Sequence, residues 1–471
     1  TMKNLPFRIF RRIFSEIRIM LHDPNGSMSK TAPRYYEWSE NEFEPFCEEF
    51  DIRLDKLSKS GDFLGLADLA YDLDRIMVGH YRLIRYGLAV HNIGMNLMLQ
   101  YLLTKFLGKR DSLHFYPILI SGLEHKLTET NDDLRYLASI IQKSPELESI
   151  INEYDSQDLY QYISSEKTPS IKAFYEEFED FLEKFGERGF TREIYYPRWN
   201  EEPRYVFDIL KTLVKGKDHD YEQIKEKQLS YRNKIQKYVE AKIRSQRFGF
   251  IKWLLFSKIL DAAHIYLIFR EDQRYNIDRW TYRNRKVYLE IGKILKQKGI
   301  LKEIDDIFFL HRKEIKKLME QSDLEVSSLI KMRRDEFFKY EYTIPPKFLQ
   351  GSREFDDVFH YNQESFSFKG IPASQGILTA KIRVINKIEE ISTVQMGEIL
   401  VVPKTDPGWT PVFPKLGGLI TETGGILSHG AVVSREYGVP AVTNIISACQ
   451  LFKTGQVVTI NGYNGTVIIK K

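Results

Sequence analysis

Cysteine is nearly absent from this chain: Cys47 and Cys449 are the only two in 471 residues, far apart and not at metal-ligand spacing. That excludes a disulfide framework and a cysteine-based zinc site, and the expectation is two reduced thiols in a cytoplasmic protein. An excess of one charge is also missing. The 69 Lys and Arg are nearly balanced by 65 Asp and Glu, for a net +4, with both signs interleaved. No nucleic acid is therefore expected as a partner. No secretory leader is expected either, because the N-terminal segment alternates Arg with Phe and Ile and has no small-residue cleavage site. Met2 beside Thr1 reads as a natural start. Long uncharged runs are rare. Residues 87–104 form one, but His91, Asn92, Asn96 and Gln100 interrupt it. Each would be costly in lipid, so a buried helix is expected and no stable membrane span.

With apolar residues at 42% and charged residues at 28%, the chain has the composition of an ordinary globular protein, and its length calls for more than one domain. From the start to residue 345 apolar residues recur at three- and four-residue spacing, which predicts a large all-α domain. Its first helix carries Phe7, Phe10, Phe14, Ile17 and Leu21 as one stripe among arginines. Such a stripe suits a membrane surface, but docking on the rest of the domain is the expectation. Thr343-Ile344-Pro345-Pro346 ends the helical texture, and residues 346–364 read as a linker. From residue 365 to 471 short β-branched runs alternate with glycine: 377–385, 399–402, 457–460 and 466–469. A helical pattern from His429 to Tyr437 interrupts them. A small C-terminal α/β domain follows from that pattern.

The chemistry is concentrated in Thr421-Glu-Thr-Gly-Gly-Ile-Leu-Ser-His429-Gly-Ala-Val-Val-Ser-Arg-Glu-Tyr-Gly-Val-Pro-Ala441. A strand over 418–421 enters a Gly424-Gly425 turn, Ser428 suits an N-cap, and Gly438 with Pro440 suits the helix end. His429 is thus predicted in the first turn of a short helix. Amide groups and the positive end of the helix dipole there favour an anion by about 0.3 to 2 kcal/mol. The same field favours neutral imidazole, the nucleophilic form. Glycine at 424 and 425 permits a phosphate to approach the backbone, with Ser428 beside it. No ligand cluster accompanies the histidine, so no metal is expected.

At these residues the chain resembles the phosphohistidine (swivelling) domain of the phosphoenolpyruvate-utilising enzymes. The stretch 421–442, preceded by Asp406-Pro-Gly-Trp-Thr-Pro411, is similar to the antibiotic-phosphotransferase branch. The resemblance implies that His429 takes a phosphoryl group from ATP or phosphoenolpyruvate. It continues through Phe185-Gly-Glu-Arg188-Gly, Glu193, Pro197-Arg-Trp-Asn-Glu-Glu-Pro203, Phe269-Arg270-Glu-Asp-Gln-Arg274-Tyr, 283–298 and 305–310. Those segments are similar to the helical, acceptor-binding domain of that branch. Residues 1–170 carry no comparable motif.

Arg270 and Arg274 are four apart on one predicted helix face, so both guanidiniums can meet one phosphoryl group, and Arg188 can join them. The competing reading is a set of salt bridges with Glu271 and Asp272. His264 and Glu193 are tentative bases for an acceptor hydroxyl, although the apolar run around His264 also suits a core histidine. Met77, Met95, Met98, Leu99, Tyr81, Tyr86 and Tyr101 either line a pocket for a hydrophobic acceptor or belong to the core.

Residues 1–340 show neither a phosphate-cradling glycine loop nor the strand-rich texture of an ATP-grasp domain, and no (β/α)₈ pattern follows the histidine segment before Lys471. The expectation is a dikinase-like phosphotransferase, incomplete without a separate ATP-grasp subunit. That subunit would hold ATP and Mg, releasing AMP and inorganic phosphate by family analogy. No cofactor is expected to bind this chain tightly. The alternative is a non-catalytic or regulatory relative that sequesters a hydrophobic small molecule. The two differ in whether His429→Ala abolishes modification of the ligand.

Overall fold

The computed structural model describes residues 5–166, 168–189, 191–215, 221–320, 326–341, 348–350, 353–355, 367–386, 388–405, 407–426 and 428–470. A large helical N-terminal region precedes a small C-terminal sheet domain, as the spacing predicts. Two compact units are formed, and the helical region divides between them. The first comprises residues 1–84, 192–197 and 276–360, and the second 85–191, 198–275 and 361–471. Most of the linker segment 346–364 lies outside the described residues; within it, β1 (Phe348–Gln350) and β2 (Arg353–Phe355) pair antiparallel.

In the first unit a core of Phe50, Leu66, Leu69, Leu73, Val287, Ile291 and Ile307 is fully removed from water. The first helix, Leu5–His22, departs from the expectation of a docked stripe. Phe14, Ile17 and Leu21 are exposed, and the side chains of Phe7 and Phe10 lie outside the described residues. Packing positions are there in the sequence, but among the described residues this stripe is not covered.

In the second unit the segment 87–105 becomes a π-helical turn, Gly87–Asn92, continuing into Ile93–Leu107. Gly87 is required there, since a Cβ would stand 2.3 Å from the Phe269 ring. His91, Asn92 and Asn96 are buried, and Asn92 Nδ2 donates to the Tyr266 carbonyl at 2.9 Å, which satisfies the polar group. No described helix is long and apolar enough to cross a membrane. Met95 and Leu99 are core residues of this unit and Met77 of the first, whereas Tyr81 is exposed; this favours the core reading of the methionines.

The C-terminal part of the second unit is one eight-stranded sheet. Its strands are β3 (Ser367–Lys369), β4 (Ile371–Ser374), β5 (Ile377–Val384), β6 (Ile399–Val402), β7 (Gly418–Thr421), β8 (Ala441–Thr443), β9 (Val457–Asn461) and β10 (Thr466–Ile469). The order is β3-β10-β9-β5-β6-β7-β8-β4, with β5, β6, β7 and β8 parallel. β6 and β7 are buried at every position, as the uninterrupted Ile-Leu-Val-Val and Gly-Leu-Ile-Thr runs require for strands covered on both faces. One face packs on Trp409, Phe413, Ala431 and Val433, the other on Ala448 and Phe452. Val402 pairs with Thr421, so the loops leaving β6 and β7 emerge side by side at the carboxyl edge. In α/β sheets that edge is where ligands are bound.

Candidate functional site

His429 opens the helix His429–Glu436, directly after the loop from β7. Gly424 has φ +122°, a conformation that requires glycine, and a Cβ there would meet the Ser428 hydroxyl at 2.9 Å. A Cβ at Gly425 would meet nothing within 4 Å, so the loop is open on that side. Ser428 occupies the N-cap position with an extended backbone, but its hydroxyl donates to the Gly425 carbonyl at 2.8 Å and makes no cap bond. The hydroxyl therefore closes the loop and does not cover the first-turn amides, which keeps their partial positive charge at the helix start.

The imidazole of His429 is half-buried between two partners. Its Nδ1 lies 3.4 Å from Thr405 Oγ1, on the loop from β6, and the Phe413 ring stands edge-on at 6.2 Å and 83°. With Nδ1–H donating to Thr405, Nε2 carries the lone pair and is the nucleophilic nitrogen. Gly430 makes this approach possible, because a Cβ there would sit 2.5 Å from Thr405 Oγ1 and 2.9 Å from Leu419 Cδ2. Thr405 and Gly430 are missing from the residues singled out by sequence. Thr405 comes from the loop after β6, not from the His429 segment, and only its position just before Asp406-Pro-Gly-Trp hinted at it.

The other end of the same helix is held by helical residues of the same unit. Gln228 Nε2 donates to the Arg435 and Glu436 carbonyls, and His125 Nε2 lies 3.3 Å from Glu436 Oε1. Arg135 lies over the Tyr437 ring at 4.3 Å. Arg435 is buried and donates to the Ala373 carbonyl at 2.8 Å; burial, with Arg270 nearby, lowers its pKa to about 10. A small pocket opens here, lined in part by His125, Arg270, Glu271, Val432, Arg435 and Glu436. Val432 and Glu436 are three and seven residues beyond His429, so the pocket lies along the helix face that His429 begins.

Arg270 and Arg274 do converge, on the carboxylate of Glu271. Arg270 Nε donates to Oε1 at 2.7 Å and Arg274 Nη1 to Oε2 at 3.0 Å. Burial works against the charge of Glu271, but Arg270, Arg274 and His125 outweigh it and hold its pKa at about 2. Arg188 is buried and donates to Thr130 Oγ1 at 2.5 Å, on the helix Lys126–Lys143 that His125 caps. Asp272 accepts from the Lys126 amide at 2.8 Å, which ties the arginine segment to the start of that same helix. His264 Nε2 lies 2.7 Å from the Leu119 carbonyl, a donor bond typical of a structural histidine; burial keeps its pKa low. Glu193 is exposed and belongs to the first unit, apart from the unit that holds the other candidates.

Residues 394–465 match the family described as PEP-utilising enzyme, mobile domain, and residues 87–271 match the rifampicin phosphotransferase fourth domain. The chain carries both domains. The mobile domain contains the His429 loop, and the fourth domain contributes His125, Gln228 and Arg270. An uncharacterised phosphotransferase of Bacillus subtilis is 27% identical over 77% of this chain and 44% of its own length. Rifampicin phosphotransferase of Bacillus cereus is 26% identical over 77% of this chain and 42% of its own. A prodigiosin synthesizing transferase of Serratia marcescens is 27% identical over 74% and 40%. The chain thus spans less than half the length of these curated relatives.

Proposed function

We propose that this protein is a phosphotransferase component in which His429 carries a phosphoryl group to a hydroxyl of an organic acceptor. The observation behind this reading is the His429 setting. Its ring is oriented through Nδ1 by Thr405, it sits at an uncapped helix start, and it faces a loop left open at Gly425. The Nε2 lone pair attacks the β-phosphorus of ATP, the α–β bridging P–O bond breaks to release AMP, and an N–P bond forms. Water then removes the γ-phosphoryl as inorganic phosphate to leave phosphohistidine. The acceptor oxygen then attacks that phosphorus, the N–P bond breaks, its electron pair returns to Nε2, and the hydroxyl proton passes to a base. First-turn amides of the helix stabilise the charge on the phosphoryl oxygens in both steps.

In this reading ATP is the donor, held with Mg by a separate ATP-grasp subunit, and the acceptor binds in the helical part of the second unit. Relatives named rifampicin phosphotransferase support phosphoryl chemistry and an acceptor of that chemical kind. Gly424, Gly425 and Ser428 shape the phosphate side of the site. Arg270, Arg274 and Arg188 act through the buried network around Glu271 and Thr130, setting the wall on which the mobile domain docks. The test is mass-spectrometric detection of acid-labile phosphate on His429 after incubation with ATP and a candidate ATP-grasp protein. Labelling that disappears in His429→Ala is the expected result. An unlabelled His429 with both ATP and phosphoenolpyruvate would remove the first step and with it the proposal.

A further inference from the structure

The long helices Tyr221–Arg244 and Gly249–Gln297 join through a tight turn whose apex is apolar and exposed. Phe248 is 65% exposed, Phe250 67% and Ile251 63%, with Leu254 and Leu255 following on the outer face. Five exposed apolar side chains within eight residues are more than scattered surface hydrophobics, and clusters of this kind often mark interaction sites.

The turn itself is built against local preference. Gly249 is required by close packing, since a Cβ there would lie 2.1 Å from the Arg244 carbonyl oxygen. The left-handed position falls one residue earlier, on Phe248, with φ +58°. Asn or Gly would adopt that conformation at lower cost. An aromatic held there in strain and turned to water points to a use outside the fold.

The charges around the apex are predominantly basic. Between residues 237 and 258 stand Lys237, Lys242, Arg244, Arg247, Lys252 and Lys258, against the single acid Glu240. Glu240 is taken up by Arg244 at 2.6 Å, and Asp111, from the helix Lys109–Leu119, meets Lys242 at 3.2 Å. Arg247 lies 5.1 Å from the centre of the Phe248 ring, and Lys252 donates to Gln246 Oε1. The arrangement is a convex aromatic tip inside a cationic collar. A convex tip suits insertion among lipid headgroups, where aromatic rings prefer the interface and basic residues meet anionic lipid. A protein partner would have to supply a complementary acidic cavity instead.

We propose that the 244–255 apex docks this protein on an anionic lipid surface. The inference is independent of the phosphoryl chemistry. The full chain is incubated with phosphatidylcholine vesicles with and without phosphatidylglycerol, and sedimentation measures the bound fraction. Binding should be at least about tenfold stronger to the anionic vesicles and should weaken with salt. The triple variant Phe248→Ser, Phe250→Ser, Ile251→Ser should lose it, and Arg247→Glu with Lys252→Glu should reduce it about tenfold or more. Phe248→Asn separates function from folding: the melting temperature should rise while vesicle binding falls. Three results would overturn the assignment: equal binding to neutral vesicles, binding retained by the triple variant, or no vesicle binding while the apex is protected by a nucleotide-binding partner protein.

Discussion

Replacing Glu271 by Gln keeps the shape of a buried side chain and removes the carboxylate shared by Arg270 and Arg274. The carboxyl is held at about 2 against an ordinary 4.5, which corresponds to roughly 3 kcal/mol of preference for the charged form in the folded state. Loss of one partner from a buried ion pair costs about 3 to 5 kcal/mol, so the two estimates agree. Spread over a unit of about 300 residues, that predicts a fall of about 5 °C in its melting temperature at neutral pH. The sign of the pH dependence follows from the depressed value. The contribution is fully present above about 4.5 and is lost as pH falls towards about 2, so the gap between wild type and Glu271→Gln should narrow across that window. Circular dichroism melts over a pH series measure this. Hydrogen exchange of residues 126–131 and 267–275 then shows whether the loosening is local to the pocket wall. A shift under about 1 °C at neutral pH, unchanged on acidification, would refute the argument that the carboxylate holds this wall together.

Thr405→Val removes the hydroxyl beside His429 Nδ1; single-turnover labelling should slow about tenfold or more, with the fold intact by circular dichroism. Gly430→Ala places a Cβ against Thr405 and Leu419 and should cost about 1 to 3 kcal/mol in urea unfolding, with labelling reduced alongside. Docking of the helix end should depend on pH through His125. Burial opposes its proton, but Glu436, Glu271 and Asp272 outweigh burial and raise its pKa above the ordinary 6.5. Its contribution is therefore complete below 6.5 and is lost as pH rises through the folded value. Exchange of residues 432–437 should accelerate on going alkaline in wild type, and His125→Gln should flatten that dependence.

The mobile domain was legible because its signals are local. Continuous β-branched runs at 399–402 and 418–421, the Gly424-Gly425 turn and Ser428-His429 each fix their own backbone, and the strands and helix form where those residues stand. Short strands such as Ser367–Lys369 and Ala441–Thr443 were not legible, since three residues carry no period and form only because a neighbour is there to pair with. The same limit hid Thr405. Its role depends on β6 and β7 lying side by side in register, which brings two loops together from points 24 residues apart.

By itself the sequence determined the fold class, the position of His429 in a helix first turn, and Gly424 and Gly425 in the loop before it, because backbone preference and hydrophobic period act within a few residues. Only the tertiary structure decided what the charged groups do. Spacing put Arg270 and Arg274 on one face, but packing placed the Glu271 carboxylate between them in a buried setting, where a nearby charge outweighs desolvation. Division of the helical region into two units and exposure of the 248–255 apex also depend on contacts between distant segments, which no local pattern encodes.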